Sequence, residues 1–388
     1  MKPSQRRDRR RRVAVVTGTR AEYGVLHSTM TAIRRHRRLE LQLVVTGMHL
    51  LRKFGHTIDQ VKADGWRIDA RVPMQTGRGD HLDQAVGLSR GVAGMARYFE
   101  RAGTDVVVVL GDRIEAMAGA LAAVATGRIC AHIHGGDVAL GDLDEGLRHA
   151  ITKLAHVHLA ATRQAARRII RMGERPGFVH TVGAPGLDRL LEIVGRQPRR
   201  KPVRKDGEAR ALVLQHPSGR SAERERRTMS VILRAVDDTG LTPTIIYPNS
   251  DRGHTGIIAA IEAARRRDRG GRLRIERSLA RDAYLRLLGD VRVLVGNSSS
   301  GIIEAASAGT AVVNVGDREQ GRQRSGRSVI DCDETYQAVR AAIRTALRRR
   351  PRPGAPTVYG DGRAGRRIAD ILATTPLDES VRRKQITY

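Results

Sequence analysis

Cysteine is nearly absent from this chain of 388 residues, with Cys130 and Cys332 its only two. Two thiols cannot supply the four-ligand set of a structural zinc site, and they offer no disulfide framework. Both are expected to be buried small apolar residues. Phe, Trp and Tyr make up 3% of the chain, too few for the stacking platforms that hold single-stranded nucleic acid. Lysine is also scarce, with seven against sixty-three arginines. Phosphate contacts alone do not select against lysine, so a GC-rich genome explains the skew better. The net charge of +29 therefore does not by itself imply a nucleic-acid partner. Apolar runs of membrane-spanning length are missing, and Met1 is followed by a basic polar run without an apolar signal core. A cytoplasmic protein with no membrane partner is expected. The dinucleotide fingerprint G-x-G-x-x-G is missing as well, since the first glycine turn reads Gly18-Thr-Arg-Ala-Glu-Tyr-Gly24.

What is present centres on Val291 to Gly316. A β-branched run to Val295 reads as a buried parallel strand, broken by Gly296-Asn297. Ser298, Ser299 and Ser300 are placed to cap a helix whose packing face is Ile302, Ile303, Ala305 and Ala306. Unpaired amides and the positive dipole end at such a helix start suit a phosphate. Glu304, one turn on, is placed to accept hydrogen bonds from ribose hydroxyls.

The rest of the chain alternates strand and helix. Residues 1–12 read as a disordered basic tail. A first strand ends at the Gly18 turn, where Arg20 offers a planar fork to a diphosphate. A second strand ends at Thr46 and leads into a mobile-looking segment holding Gly55, His56, Gly77 and Gly79. The strand Asp105 to Leu110 precedes Asp112 and Arg113, with a helix from Ile114 to Ala125. Polar residues directly after such a strand lie at the carboxyl edge of a sheet, where open α/β folds bind ligands, so Asp112 is a site candidate or else a helix cap. The segment from Ala131 to Ala150 is dense in titratable groups. His134 and Asp137 fall in a strand-exit loop, Asp144 and Glu145 start the helix carrying Arg148 and His149, and His132 faces the other way and reads as structural. Histidines and carboxylates gathered beside a sheet edge suit proton transfer near neutrality. The spacing lacks a clear third metal ligand, so no metal is expected. A Gly/Pro cluster from Gly183 and the polar stretch to Glu208 mark a domain boundary. The second half repeats the rhythm, with Gln215-His216-Pro217 and Pro248-Asn249-Ser250-Asp251 after its first two strands. The expected fold is α/β, with two Rossmann-like domains facing across a cleft in the GT-B manner. Their bounds are 13–187 and 209–365, with a linker at 188–208. A closing segment, 366–388, returns to the first domain.

Seven motifs, weak singly, carry a family resemblance when taken in order. They are G-T-R-A-E-Y-G at 18–24, G-D-R at 111–113, H-I-H-G-G-D at 132–137 and D-E-G-L-R-H-A-I-T-K-L-A-H at 144–156. Q-H-P at 215–217, P-N-S-D at 248–251 and G-N-S-S-S-G-I-I-E at 296–304 complete the set. From about Val13 to Tyr359 the chain resembles the hydrolysing UDP-N-acetylglucosamine 2-epimerases of sialic-acid-type biosynthesis. The resemblance implies anti elimination of UDP to a 2-acetamidoglucal, then hydration to free N-acetylmannosamine. It implies acid–base work by Asp112, His134, Asp144 and His216. Substrate contacts are implied at Arg20, Arg113, Asp137, Glu145, Asn249, Ser278, Ser298, Ser299, Glu304 and Arg318. No cofactor or metal is required, because arginines and a helix dipole can hold the diphosphate. The expected partner is a small-molecule sugar nucleotide, in a homo-oligomer, dimer or tetramer.

Departures from the family pattern bear on detail. Non-hydrolysing relatives read H-V-E-A-G-L-R where this chain has His134, which argues for the hydrolysing branch. Gly24 replaces a serine expected to touch UDP, and Ser278 stands where animal enzymes have histidine. Sister enzymes with the same signature act on a UDP-linked diacetamido-trideoxyhexose or a GDP-linked sugar. Those substrates remain alternatives, as does a GT-B glycosyltransferase.

Overall fold

Unbroken valine runs make good strands only where both faces of the sheet are covered, and this chain builds two such parallel sheets. The computed structural model describes residues 9–78, 80–138, 143–196, 210–249, 251–349 and 351–387. The first sheet comprises β1 Arg11–Thr17, β2 Leu39–Thr46, β3 Ala70–Val72, β4 Val106–Leu110, β5 Ile129–Ile133, β6 Val157–Ala160 and β7 Val179–Thr181. Its spatial order is β3-β2-β1-β4-β5-β6-β7. The helices between these strands are α1 Arg20–Arg35, α2 Ile58–Ala63, α3 His81–Ala102, α4 Ile114–Ala125, α5 Asp144–Leu154 and α6 Arg163–Arg171, and α7 Gly186–Arg196 follows β7.

The second sheet comprises β8 Arg210–Val213, β9 Thr242–Ile246, β10 Arg274–Glu276, β11 Val293–Gly296, β12 Ala311–Val315 and β13 Val329–Cys332, ordered β10-β9-β8-β11-β12-β13. With it run α8 Ala222–Asp237, α9 His254–Arg267, α10 Arg281–Asp290, α11 Ser299–Ile303, α12 Ala305–Ala308 and α13 Tyr336–Arg348, before α14 Ala364–Thr374 and α15 Glu379–Arg382 close the chain. Two compact units result, Met1–Asp137 with Leu143–Asp188 and Arg363–Tyr388, and Val138–Asp142 with Arg189–Gly362. This is the α/β, two-Rossmann composition of the GT-B class. Among the described residues, no helix is long and apolar enough to cross a membrane.

Alternation along each strand explains the apolar runs. In the first unit Val13, Val15, Val106 and Val108 point into one core, while Ala14, Val16, Val107 and Val109 point into the core on the opposite face. In the second, Ala211, Val213, Val293, Val295, Val313 and Val315 share one core with Ile232, Ile257 and Ile343 from the helices.

The structure corrects several expectations. The basic tail ends sooner than residue 12, because Arg11 and Arg12 pair with Leu39 and Glu40 of β2 and the Arg12 amide donates to Asp105 Oδ2 at 2.9 Å. Arg9 reaches both Asp105 oxygens at 3.0 Å, and residues 1–8 lie outside the described ones. Composition marked a run of arginines as solvated, but strand pairing and one carboxylate order its end. The mobile-looking segment after β2 holds two short 3₁₀ turns, α2 and edge strand β3, with Gly79 outside the described residues. The expected linker begins inside α7, and residues 197–209 lie outside the described ones. Cys130 is fully buried, but Cys332, at the end of edge strand β13, is only partly covered. Burial pushes both thiols up to about 12.

The chain's final segment docks through α14 onto α1. A Cβ on Gly365 would lie 2.8 Å from the Ser28 backbone, so only glycine permits this approach. Ile368, Ala369, Leu372 and Val381 join the core around β1. Asp188 fixes the start of α14, its carboxylate accepting from the Ala364 amide at 3.0 Å and the Gly365 amide at 2.7 Å. These are two of the helix-start amides that have no partner within the helix. Asp188→Ala is expected to destabilise the protein by about 1–3 kcal/mol, seen as an earlier urea midpoint. An unchanged midpoint would make this cap dispensable.

Candidate active site

In each sheet the order of strands reverses once, between β1 and β4 in the first and between β8 and β11 in the second. Loops leaving the two central strands diverge there, which opens a crevice at the carboxyl edge. The candidate residues sit at strand exits. Arg20 follows β1, Asp112 and Arg113 follow β4, and His134 and Asp137 follow β5. His216 follows β8, Asn249 β9, Ser278 β10, Ser298 and Ser299 β11, and Arg318 β12.

In the first unit the turn after β1 is held by a capping box. Thr19 Oγ1 accepts from the Glu22 amide at 3.3 Å, and Glu22 Oε2 accepts from the Gly18 and Thr19 amides at 2.9 and 3.0 Å. Arg20 is the first residue of that helix, and partial burial lowers its pKa. Burial, with Glu115 nearby, pushes the Glu22 carboxyl up to about 7.

Asp112 is not the cap of α4, a position taken by Arg113. Its carboxylate instead pairs with Arg148, which is 2% exposed and also donates to the His134 carbonyl at 3.3 Å. His134 adopts a left-handed backbone, φ 62°, and its Nδ1 lies 2.8 Å from Asp137 Oδ2. A carboxylate can only accept, so Nδ1 carries a proton, and in the neutral imidazole it is Nε2 that has the lone pair. His132 is sealed in. Nε2 meets the Gly111 carbonyl at 2.7 Å and Nδ1 meets Thr152 Oγ1 at 3.2 Å, and burial drives its pKa to about 3. Asp144 and Glu145 occupy the first turn of α5, and Glu145 Oε1 lies 3.0 Å from His149 Nε2. The structure thus gathers Asp112 and His134 around Arg148, with Asp137 on His134, and leaves His132 to hold the sheet.

In the second unit Asn297, read in the sequence only as a strand breaker, joins the two strand exits at the reversal. Its Oδ1 accepts from the His216 amide at 2.7 Å, and its Nδ2 donates to the His216 carbonyl at 2.8 Å. Gly296, φ 139°, permits this, since a Cβ there would lie 2.1 Å from the Leu214 carbonyl oxygen. The Asn249 amide donates to His216 Nδ1 at 3.1 Å, so neutral His216 carries its proton on Nε2. Burial, with Arg318 close by, drives its pKa to about 3. Arg318 donates to the Asn297 carbonyl at 3.1 Å and to Glu319 Oε1 at 2.8 Å. Ser278 is exposed beyond edge strand β10, away from the reversal.

The serine-rich helix differs from expectation. It breaks at Glu304 into α11, of five residues, and α12, of four, and Ser298 makes no side-chain cap. So short a helix has a weak dipole, which removes the dipole argument for an anion at its start. Glu304 is already engaged by Arg281 and by Ser300 Oγ, the latter at 2.6 Å. Arg281, Arg148, Asn297 and Glu115 were not foreseen. Glu115 was the nearest to legible, as an acidic residue at the start of a helix of alanines. It is fully buried and fills the space left by Gly18 and Gly47, where a Cβ would lie 2.4 and 2.5 Å from it. It accepts from Gln75 at 3.0 Å and Arg113 Nε at 3.3 Å. Among the described residues, no three His, Cys, Asp or Glu side chains are placed to hold one metal ion.

Comparison with known proteins agrees with the two-sheet fold. A profile of the family described as UDP-N-acetylglucosamine 2-epimerase matches residues 31–373. The chain belongs to this family, in its hydrolysing branch. It is 35% identical to the UDP-N,N'-diacetylbacillosamine 2-epimerase (hydrolysing) of Legionella pneumophila, over 97% of the chain and 100% of that protein. It is 30% identical to the UDP-N-acetylglucosamine 2-epimerase of Neisseria meningitidis serogroup B, over 87% of each. In fold it matches a crystal structure of UDP-GlcNAc 2-epimerase from Neisseria meningitidis bound to UDP-GlcNAc. The TM-score is 0.76 at 16% identity, covering 94% of this chain and 100% of that one.

Four histidines are held neutral by burial, His132 and His216 near 3 and His49 and His156 near 4. Each takes up a proton near its ordinary 6.5 once unfolded, so this stability is present above that pH and is lost as pH falls toward 3–4. Glu22, raised from 4.5 to about 7, and Glu225, also raised by burial, act with the opposite sign but are two groups against six, since burial lowers His158 and His180 as well. The thermal midpoint is expected to fall steadily from pH 7 to pH 4.5. A midpoint flat across that range would show that these imidazoles titrate normally.

Proposed function

We propose that the protein is a hydrolysing 2-epimerase of UDP-linked 2-acetamido sugars, with UDP-N,N'-diacetylbacillosamine as its preferred substrate. The whole-length likeness to the Legionella enzyme supports that sugar. UDP-N-acetylglucosamine is the second reading, supported by the likeness to the Neisseria enzyme.

One observation carries the chemistry, the opposite hydrogen-bond roles of Nδ1 in two histidines at strand exits. Neutral His134, donating from Nδ1 to Asp137, offers a lone pair at Nε2, whereas neutral His216, accepting at Nδ1, offers a proton at Nε2. An elimination followed by hydration needs both kinds of group. In the first step a base takes the C2 proton, the C1–O bond to the diphosphate breaks, a C1=C2 double bond forms and UDP leaves. In the second, water adds its oxygen at C1 and a proton enters C2 from the opposite face, releasing the C2-inverted free sugar. His134, Asp112, Asp144 and His216 are the groups assigned to these proton transfers, and the reading requires all four to serve one substrate.

Arg20, Arg113 and Arg318 are assigned to the diphosphate, whose developing charge they would neutralise. Ser298, Ser299 and Asn249 are assigned to phosphate or nucleoside contacts. Glu304 keeps its ribose role, because a carboxylate has about four acceptor positions and Arg281 with Ser300 does not exhaust them. Asp137 acts through His134, and Glu145 lines the sugar side.

Each sugar nucleotide, incubated separately in deuterated water, is expected to yield UDP and free C2-inverted sugar carrying one deuterium at C2. The diacetamido substrate is expected to have the higher kcat/KM. Product without the label would rule out the elimination. Asp112→Asn is expected to lower turnover at least ~100-fold while changing UDP affinity by less than about threefold. Equal losses of both would reduce Asp112 to a structural partner of Arg148.

A further inference from the structure

The closing segment does more than add a helix to the first unit. Lys384 brings its ammonium to the end of α5, where Nζ donates to the carbonyls of Thr152 at 3.2 Å and Ala155 at 2.7 Å, and also to that of Lys153. The last carbonyls of a helix have no partner within it, and a cation there also meets the negative end of the dipole. The same ammonium lies 2.7 Å from Glu174 Oε2, a carboxylate only 2% exposed that also takes Lys153 at 2.7 Å and His158 at 3.0 Å. Burial alone would raise the Glu174 pKa, but its three donors outweigh burial and hold it at about 2. Two more hydrogen bonds fasten the segment on either side, from the Thr387 amide to the Gly173 carbonyl at 3.2 Å and from the Arg175 guanidinium to the Ser380 carbonyl at 2.8 Å.

The other end of the same helix carries site residues. Asp144 and Glu145 form its first turn, and the residue before them, Leu143, makes no side-chain cap. Arg148, one turn in, meets Asp112 and the His134 carbonyl. Thr152, whose carbonyl Lys384 holds, sends its hydroxyl to the Arg148 carbonyl at 3.0 Å. Eleven residues of helix are a rod of about 16 Å, too short to bend much between its ends. The charged contacts from the closing segment meet the rod at its carboxyl-terminal end, opposite Asp144 and Glu145.

We propose that Lys384, by clamping the last turn of α5 to Glu174, is a positioning residue that sets where Arg148, and through it Asp112, stands in the site. The activity arm of the test rests on the reading given under Proposed function. Lys384→Met is expected to lower kcat at least tenfold with KM and UDP affinity within threefold. Lys384→Arg, which can still donate to the same carbonyls, is expected to recover kcat to within threefold of the parent. Amide exchange across α5 should quicken in the Met variant and return toward the parent rate in the Arg variant. Wild-type kcat in folded Lys384→Met, whatever its thermal midpoint, overturns the proposal, as does an Arg variant no better than Met. If the Met variant fails to fold, Glu174→Gln is read in its place, with the same selective loss of kcat expected and parental kcat overturning the proposal. If the parent turns over neither sugar nucleotide, the functional reading has failed, and exchange across α5 alone then decides the clamp.

Discussion

A guanidinium that is 2% exposed must be paired, because an isolated charge removed from water costs several kcal/mol. Arg148 meets that constraint with Asp112, and the pair ties the exit of β4 to the helix that follows β5. Much of the first unit's site depends on this tie. It fixes a carboxylate at the strand reversal, steadies the His134 carbonyl in a loop with left-handed backbone, and transmits the position of α5 to the sheet edge. Removing Asp112 would leave the buried guanidinium without its carboxylate, so the pair specifies geometry more than it adds stability. Asn297 has the equivalent place in the second unit with a neutral device, two hydrogen bonds to the His216 backbone across the reversal.

The excess of arginine takes on a different meaning once partners are known. Several arginines that composition could have assigned to a polyanion are committed to carboxylates. Arg281 pairs with Glu304, Arg322 with Glu319, and Arg220 with Asp317 and Glu334. In a chain so poor in lysine, arginine serves as the general structural cation. Its fork suits buried carboxylates better than an ammonium does. Lys384 is an instructive exception, since one compact charge with three donors fits three converging helix carbonyls and a carboxylate.

Local chemistry made much of the fold readable. The valine run of β4 and the glycine turn after β1 were visible because a strand buried on both faces shows as a continuous apolar stretch that ends abruptly. β3 and β13 were not visible, being edge strands of three and four residues with mixed polarity. The break at Glu304 was also hidden, since Ser300 and Ile303 suit a continuous helix. Arg281 and Ser300, distant and near in the chain, both engage the Glu304 side chain where the helix divides. In the candidate site, motif residues at strand exits could be named from the sequence, but their partners could not. Asp112 reads equally as cap or catalyst until Arg148, thirty-six residues on, is seen to hold it.

By itself, the sequence determined the alternation of strand and helix, the two-sheet α/β class and the family, because apolar periodicity and turn residues act over a few neighbours. The tertiary structure alone decided which nitrogen of His134 and of His216 bears the proton, which carboxylates are already engaged, and that a lysine near the chain end closes the helix bearing Asp144. Those properties depend on burial and on donors brought together from distant positions, and neighbouring residues along the chain carry no record of them.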